Sequence, residues 1–483
     1  MEKERLLYRF RPMYSLLEKY NELENEEIYF SSVEELNDPL EDFLAINFDG
    51  DKILWTNFLK NYLFCLFQFR LTLALAEDDK EYTADDIHPY YDETLRTISS
   101  IKGQKFYDIC EKILTNEAVQ NLVDYLSSQE QPITNTELCL LLQAFHFYFL
   151  EVLVSFDRKT NNDYEITVEH QNLDMLNIIL NTIKNSKNSR DLFKFLINFI
   201  NEMNNNNILL RKLTSSDNSV KEKNFILLLD YPKLYLNKLP EIMFPNPFIA
   251  CFSKDYRDLS LWGYYADSSK GACLIYKVEE KNNSLFLPIE KVTTWGGDGE
   301  NFWERKEYTE LEIKPVAYEK QKPWVSFFRS LGRISHTSLV KYWYSDENQV
   351  SEKVKDLVDY DKSNEWRINY WQNISNNINT KHINWKHEQE YRIVEQTMYS
   401  DMYDTKDKRK LKYKFSNLRG LIFGINTSDE DKLETIKILK AKCNNHNIKD
   451  FKLYQAIYNN KIGEVEIIPM RTLDCIEIRN EKK

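Results

Sequence analysis

Two glutamates sit two residues apart in the run Trp385-Lys386-His387-Glu388-Gln389-Glu390-Tyr391-Arg392-Ile393-Val394. Tyr391 to Val394 has the aromatic and β-branched content of a strand. On a strand, positions i and i+2 face the same way, so both carboxylates would share one face and Gln389 the other. Acids held side by side repel. One pKa then rises, which suits proton handling or stabilisation of a developing cation. The plainer reading of the same residues is a solvated strand face followed by an Arg392 ion pair.

Other chemistry finds little support. His382 and His387 are five apart with Glu388 adjacent, but no second pair of ligands accompanies them, so no metal is expected. There is no G-x-S-x-G for a serine hydrolase and no G-x-x-x-x-G-K-S/T for a P-loop. Trp295-Gly-Gly-Asp-Gly299 lacks the following Lys-Ser/Thr of a phosphate cradle and reads as a flexible loop.

The chain has 483 residues and a formal net charge of −12, which argues against a sequence-independent nucleic-acid clamp but not against a local basic pocket. With 30 Tyr, 27 Phe and 9 Trp it is a folded globular chain and not a disordered one. The seven cysteines are odd in number and form no C-x-x-C pair, so they read as reduced core residues. The first residues, Met-Glu-Lys-Glu-Arg, carry no apolar signal region, and a cytoplasmic protein is expected. The two greasiest runs, Ile53–Ala76 and Leu138–Val154, are interrupted by polar residues and read as buried helices, with no membrane association.

The elements that must position the glutamates follow in order. Residues 6–11 alternate apolar and polar like a half-buried strand, Pro12 ends it, and Met13–Tyr20 reads as a short helix. Glu27–Ser31 reads as a second strand. Ser32 can then cap a helical turn with Glu35, which Asn37-Asp38-Pro39 stops. From residue 51 to 240 apolar residues recur at helical spacing in 53–76, 91–127, 136–156, 170–184 and 190–213. Strand character returns at Phe248–Ser253, Gly271–Val278 and Pro315–Tyr318. A helix is expected over Ser260–Tyr265, and helices over Trp324–Tyr344 and Asn348–Tyr360. Strands follow at Leu418–Phe423, Phe451–Ile457 and Glu464–Ile468, with a helix over Asp429–Cys443. The fold class is α+β: a split, mixed or antiparallel β-sheet body of residues 1–50 plus 241–483, and an all-α insertion of 51–240. No G-x-G-x-x-G follows a strand, so a Rossmann sheet fits poorly.

Four ordered patches carry a resemblance. They are Leu7-Tyr8-Arg9-Phe10-Arg11; Tyr29-Phe30-Ser31-Ser32 with Leu36-Asn37-Asp38-Pro39 and Asp42; Cys251-Phe252-Ser253 with Leu261-Trp262-x-x-Tyr265-Ala266-Asp267-x-x-x-Gly271; and Trp385-x-x-Glu388-x-Glu390-Tyr391-Arg392. Together they resemble a bacterial family of unknown function over about 1–50 and 245–470. The family usually has histidines where this chain has Tyr264 and Ser269, which leaves any chemistry of those histidines lost or moved to hydroxyls. More remotely, the order of elements is similar to the ADP-ribosyltransferase fold. That resemblance implies NAD as a substrate, with Arg11 or Arg9 on its phosphates or nicotinamide side, Tyr29 offering an aromatic face and Ser31 a hydroxyl near the ribose. It implies Glu390 as the carboxylate that steadies the oxocarbenium-like centre and Glu388 as the group that orients or deprotonates the acceptor. Asn37, Asp38, Trp262, Tyr265 and Arg392 complete the implied cofactor-binding set.

Two functions of different class follow. One is an NAD-consuming ADP-ribosyltransferase-like effector, in bacterial defence or as a toxin. It would act on an unknown macromolecular acceptor chosen by the helical insertion, which is then the candidate protein-partner surface. The other is a non-catalytic binding or regulatory module in which Arg11, Asp38 and Glu390 form a buried polar network. The first expects Arg11, Tyr29, Ser31 and Glu390 to line one open cleft. The second expects them paired and sealed. Asn37-Asp38-Pro39 also reads as a plain turn, and Trp262 and Tyr265, three apart, as core aromatics.

Overall fold

The computed structural model describes residues 5–38, 40, 44–75, 86–89, 100–158, 226–298, 302–358, 363–397 and 402–470, with scattered residues between 177 and 213. It is a mixed α and β protein whose chain divides into two compact units. The first holds Met1–Phe43, Asn246–Lys322 and Ser375–Lys483; the second holds Leu44–Pro245 and Pro323–Ile374. These boundaries differ from the sequence expectation chiefly at 323–374. The cause is packing: Phe327 and Phe328 set their rings against Phe48 and Phe58, and Phe328 also against Trp55, so this stretch belongs with the helical unit.

The first unit is built on a 12-stranded sheet. From one edge the strands run Glu464–Met470, Lys452–Asn459, Leu418–Phe423, Ala272–Lys281, Arg5–Arg11 and Pro247–Ser253. They continue through Glu390–Gln396, Phe302–Pro315, Ser284–Gly297 and Lys410–Tyr413 to Glu27–Tyr29, while Ser31–Ser32 pairs onto Pro247–Ser253. The central strands are antiparallel, with Tyr8 opposite Ser253 and Ser253 opposite Glu390. Residues opposite one another share a face. Leu7, Ala250, Phe252 and Ile393 therefore enter one core layer, whereas Phe10 enters the other with Trp262, Cys273 and Ile275.

Local chemistry explains the element ends. Ser32 and Glu35 form the expected capping box around the 3-10 turn Val33–Glu35. Ser428 accepts from the Asp431 N–H at the start of helix Asp429–Asn445, whose first turn carries Asp429, Glu430 and Asp431 against the helix dipole. The loop expected at Trp295–Gly299 is in part the end of a long hairpin, since Ser284–Gly297 pairs with Phe302–Pro315 as far as Gly297 and Phe302. Gly296 belongs in that ladder because a Cβ there would lie 2.7 Å from the Trp303 ring, which crosses over it.

The second unit carries the long helices Lys52–Leu75 and Asn135–Arg158, with Ser100–Leu114 and Glu117–Ser127. Asn116 caps the last of these through the Ala118 N–H, which splits the single helical pattern read over 91–127. Helix Asn135–Arg158 contains a stretch long and apolar enough to cross a membrane, mostly buried within the protein. The helices expected over 170–184 and most of 190–213 lie outside the described residues. The long helices expected over Trp324–Tyr344 and Asn348–Tyr360 are shorter: His336–Leu339 running into Val340–Tyr344, then Glu352–Val354 and Lys355–Val358.

Phe58 is fully buried among Phe48, Trp55, Tyr235, Phe327 and Phe328. Phe58→Ala is expected to cost roughly 3–5 kcal/mol and Phe58→Leu distinctly less, read as shifts in denaturant midpoint. Equal losses for both would contradict this packing.

Candidate functional site

The carboxylates do come together, but not by strand alternation. Glu388 ends a 3-10 turn, Ile383–Glu388, and Glu390 opens the strand Glu390–Gln396. Between them Gln389 has φ 46°, a left-handed residue that reverses the chain locally. Both acids then converge on Lys381, whose Nζ lies 2.7 Å from Glu388 Oε2 and 3.2 Å from Glu390 Oε2. Lys381 stands on a three-residue strand, Thr380–His382, that runs parallel to Ala317–Glu319. Its ammonium also lies over the Trp385 ring, 4.7 Å from the centroid.

Arg392 completes the group. Its Nε donates to Glu390 Oε1 at 2.7 Å, its Nη2 to Oε2 at 3.1 Å, and its Nη1 to the Ile378 carbonyl at 2.6 Å. Glu388 Oε1 accepts from the Tyr265 hydroxyl at 2.9 Å. The backbone is tied as well. Ser253 donates its hydroxyl to the Glu388 carbonyl, and the Tyr318 hydroxyl accepts from the Glu390 N–H at 2.7 Å. Lys381, Glu388, Glu390 and Arg392 are all buried, Arg392 at 1 % exposure.

The two acids differ electrically. Burial pushes the Glu390 carboxyl up, but Arg392 and then Lys381 outweigh it and hold it down, to about 2. Burial also pushes Glu388 up, and Lys381 offsets that only in part, so it stays above the ordinary glutamate value. Burial would lower Lys381, yet Glu390 and Glu388 together raise it. The Tyr265 hydroxyl is raised by burial and by the Glu388 charge.

The remaining sequence-predicted residues lie elsewhere. Because Tyr8, Ser253 and Glu390 share a face, Arg9 and Arg11 project from the opposite one, with Arg9 over the Phe252 ring. Arg9 donates to the Tyr29 carbonyl at 2.8 Å and the Cys251 carbonyl at 3.0 Å. Arg11 closes its fork on both oxygens of buried Glu22. Tyr29 stacks on Tyr20 and donates its hydroxyl to Glu35. Ser31 is half-buried on its short strand, and Asn37 is exposed. Asp38 is buried and accepts from the Leu40 N–H, as a turn residue does. Trp262 is a core residue, edge-on to Phe10, with its Nε1 on the Tyr256 carbonyl. Tyr264 is exposed against Trp385, and Ser269 sits in a left-handed turn.

Lys381, Glu22 and Tyr318 carry much of this geometry and had no sequence signal. Lys381 lies in a stretch with no periodicity, and only the parallel pairing with Ala317–Glu319 brings it under the glutamates. Among the described residues no group of three or more His, Cys, Asp or Glu could hold a metal ion. No protein-family profile, curated protein or solved structure matches this chain.

A carboxylate held below its unfolded value stabilises the fold above the ordinary glutamate range, and that contribution fades as pH falls towards the folded value. Glu390→Gln is therefore expected to lower unfolding free energy most near neutral pH, with the gap to wild type closing from the ordinary value of 4.5 down towards about 2. Urea titrations at several pH values check this. A pH-independent gap would mean that the Glu390 charge is not the stabilising feature.

Proposed function

We infer that this protein is a non-catalytic binding or regulatory module. The expected network of Arg11, Asp38 and Glu390 does not form, since Arg11 pairs with Glu22 and Asp38 accepts from the Leu40 N–H. The structural network is instead Lys381–Glu388–Glu390–Arg392. One observation carries the reading: the Glu390 carboxylate is buried and both of its oxygens already accept hydrogen bonds inside the fold, from Lys381 and Arg392. The placement of Arg11 supports it, since that side chain lies on the other face of the sheet and is closed on Glu22. Removing one partner of such a network leaves a buried charge uncompensated, which costs about 3–5 kcal/mol.

A second reading, an NAD-consuming ADP-ribosyltransferase-like effector, is favoured by a different observation. Tyr265 is half-buried and places its hydroxyl on Glu388, the acid whose carboxyl is raised, so a proton-handling pair lies one side chain below the surface. In this reading Glu388 manages the acceptor proton and Glu390 supplies fixed negative charge.

Nicotinamide release from NAD, with cell lysate as acceptor, separates the two. The structural reading expects none from wild type, and a lowered melting temperature in Glu390→Gln and Arg392→Ala. Release by wild type that disappears in both Glu390→Gln and Glu388→Gln, each still folded, would overturn it and establish the transferase reading.

A further inference from the structure

Asp267, Ser268 and Ser269 have φ of 46°, 54° and 66° in succession. Side chains other than glycine meet steric repulsion in this left-handed region, and they visit it singly, not in runs. The sequence in between, Asp-Ser-Ser, contains no glycine to relieve it. Such a run persists only where its surroundings hold it.

The holding groups are identifiable. Helix Leu259–Tyr264 precedes the turn, and the Ser268 and Ser269 N–H groups return to the Gly263 and Trp262 carbonyls. Ala266, fully buried, accepts from the Gly271 N–H at 2.7 Å. From the opposite side the loop after strand Leu418–Phe423 grips the turn. Asn426 donates its N–H to the Ser269 carbonyl at 2.9 Å and its side-chain amide to the Ser268 carbonyl at 3.2 Å. Thr427 donates its hydroxyl to the Gly271 carbonyl at 2.7 Å, and the Gly424 N–H reaches the same oxygen. The approach is so close that a Cβ on Gly424 would lie 2.2 Å from the Ser269 carbonyl oxygen. Two residues before the turn stands Tyr265, whose hydroxyl is on Glu388.

We propose that Asp267–Ser269 is a strained latch, that Asn426 and Thr427 hold it shut, and that its closure is what sets the Tyr265 hydroxyl on Glu388. Asn426 and Thr427 are positioning residues in this scheme: neither touches the carboxylates, and each acts through the turn on Tyr265. Release of the grip lets the backbone leave the left-handed region and carries Tyr265 away from Glu388. The latch operates on the carboxylate pair whether or not that pair turns over a substrate, so it stands apart from either functional reading.

Two measurements on the full chain test it. Glycine at 267, 268 or 269 removes the repulsion, so Asp267→Gly, Ser268→Gly and Ser269→Gly should each raise the melting temperature, by roughly 1–3 °C. Asn426→Ala should let one additional tyrosine ionise near the ordinary value of about 10, seen as phenolate absorbance, because Tyr265 then loses both its burial and its contact with the Glu388 charge. That tyrosine should vanish from the titration of Asn426→Ala combined with Tyr265→Phe. If Asn426→Ala does not fold, Thr427→Val takes its place, removing one hydroxyl with little change of shape. Glycine variants that gain no stability would show that the turn stores no strain. An unchanged tyrosine titration in the grip variants would show that the turn does not position Tyr265. Either result overturns the proposal.

Discussion

Four buried charges organise the site: two carboxylates and two cations enclosed at the end of the strand Glu390–Gln396. Taking any one of them out of water alone would be prohibitive, so the group is tolerable only because its formal charges cancel and its donors are matched to acceptors. The matching is uneven. Arg392 gives Glu390 two parallel hydrogen bonds, the geometry that binds a carboxylate most firmly, and Lys381 adds a third. Glu388 has the shorter contact to Lys381 but must share that ammonium, and its other oxygen accepts from a neutral hydroxyl, that of Tyr265. Two acids two residues apart thus end with carboxyl groups shifted in opposite directions, because Arg392 holds Glu390 down while burial outweighs Lys381 at Glu388.

The sheet constrains everything else. Side chains alternate between its faces, so the register that puts Glu390 beside Ser253 and Tyr8 also puts Arg9 and Arg11 beneath it. A single cleft lined by Arg11 and Glu390 would need these strands to slip by one residue, which would turn Leu7 and Phe252 out of their core layer. Each face instead settles its own charge: Arg11 against Glu22 on one, Arg392 and Lys381 against the glutamates on the other. Among the described residues Arg9 hydrogen-bonds no carboxylate. It rests on two carbonyls and the Phe252 ring, with its Nε buried and unpartnered, and burial lowers its pKa accordingly.

What was legible in the chain was whatever depends on near neighbours. The strand over residues 6–11, the Ser32–Glu35 capping box and the helix after Ser428 all rest on contacts within a few residues, and each appears where the pattern puts it. The strand, however, is covered on both faces and is not half-buried as its alternation suggests. The E-x-E pair was also legible as a pair. Its means of convergence was not, because a left-handed Gln389 has no signature distinct from any other glutamine. Lys381 was illegible for a different reason: its role arises from pairing with residues more than sixty positions away. The allegiance of 323–374 likewise depends on Phe327 and Phe328 finding Phe48, a contact that no periodicity encodes.

The left-handed Gln389 answers a problem that a regular strand would pose. Alternation would hold the two carboxylates on one face about 7 Å apart, each needing a cation of its own. Turning the chain at Gln389 ends the strand at Glu390 and folds Glu388 back, so that one ammonium reaches both acids. A left-handed residue costs on the order of 1–2 kcal/mol. A close charge pair at an effective dielectric near 20 is worth about 4 kcal/mol before desolvation, so sharing Lys381 can offset the local strain. The arrangement then needs Gln389 held in place from outside. The Lys254 N–H supplies this by donating to its carbonyl at 3.1 Å, next to Ser253, whose hydroxyl already holds the Glu388 carbonyl. The turn that carries the acids is thereby anchored to the strand beside it, and the electrostatics of the pair follow from backbone bonds as much as from the charges themselves.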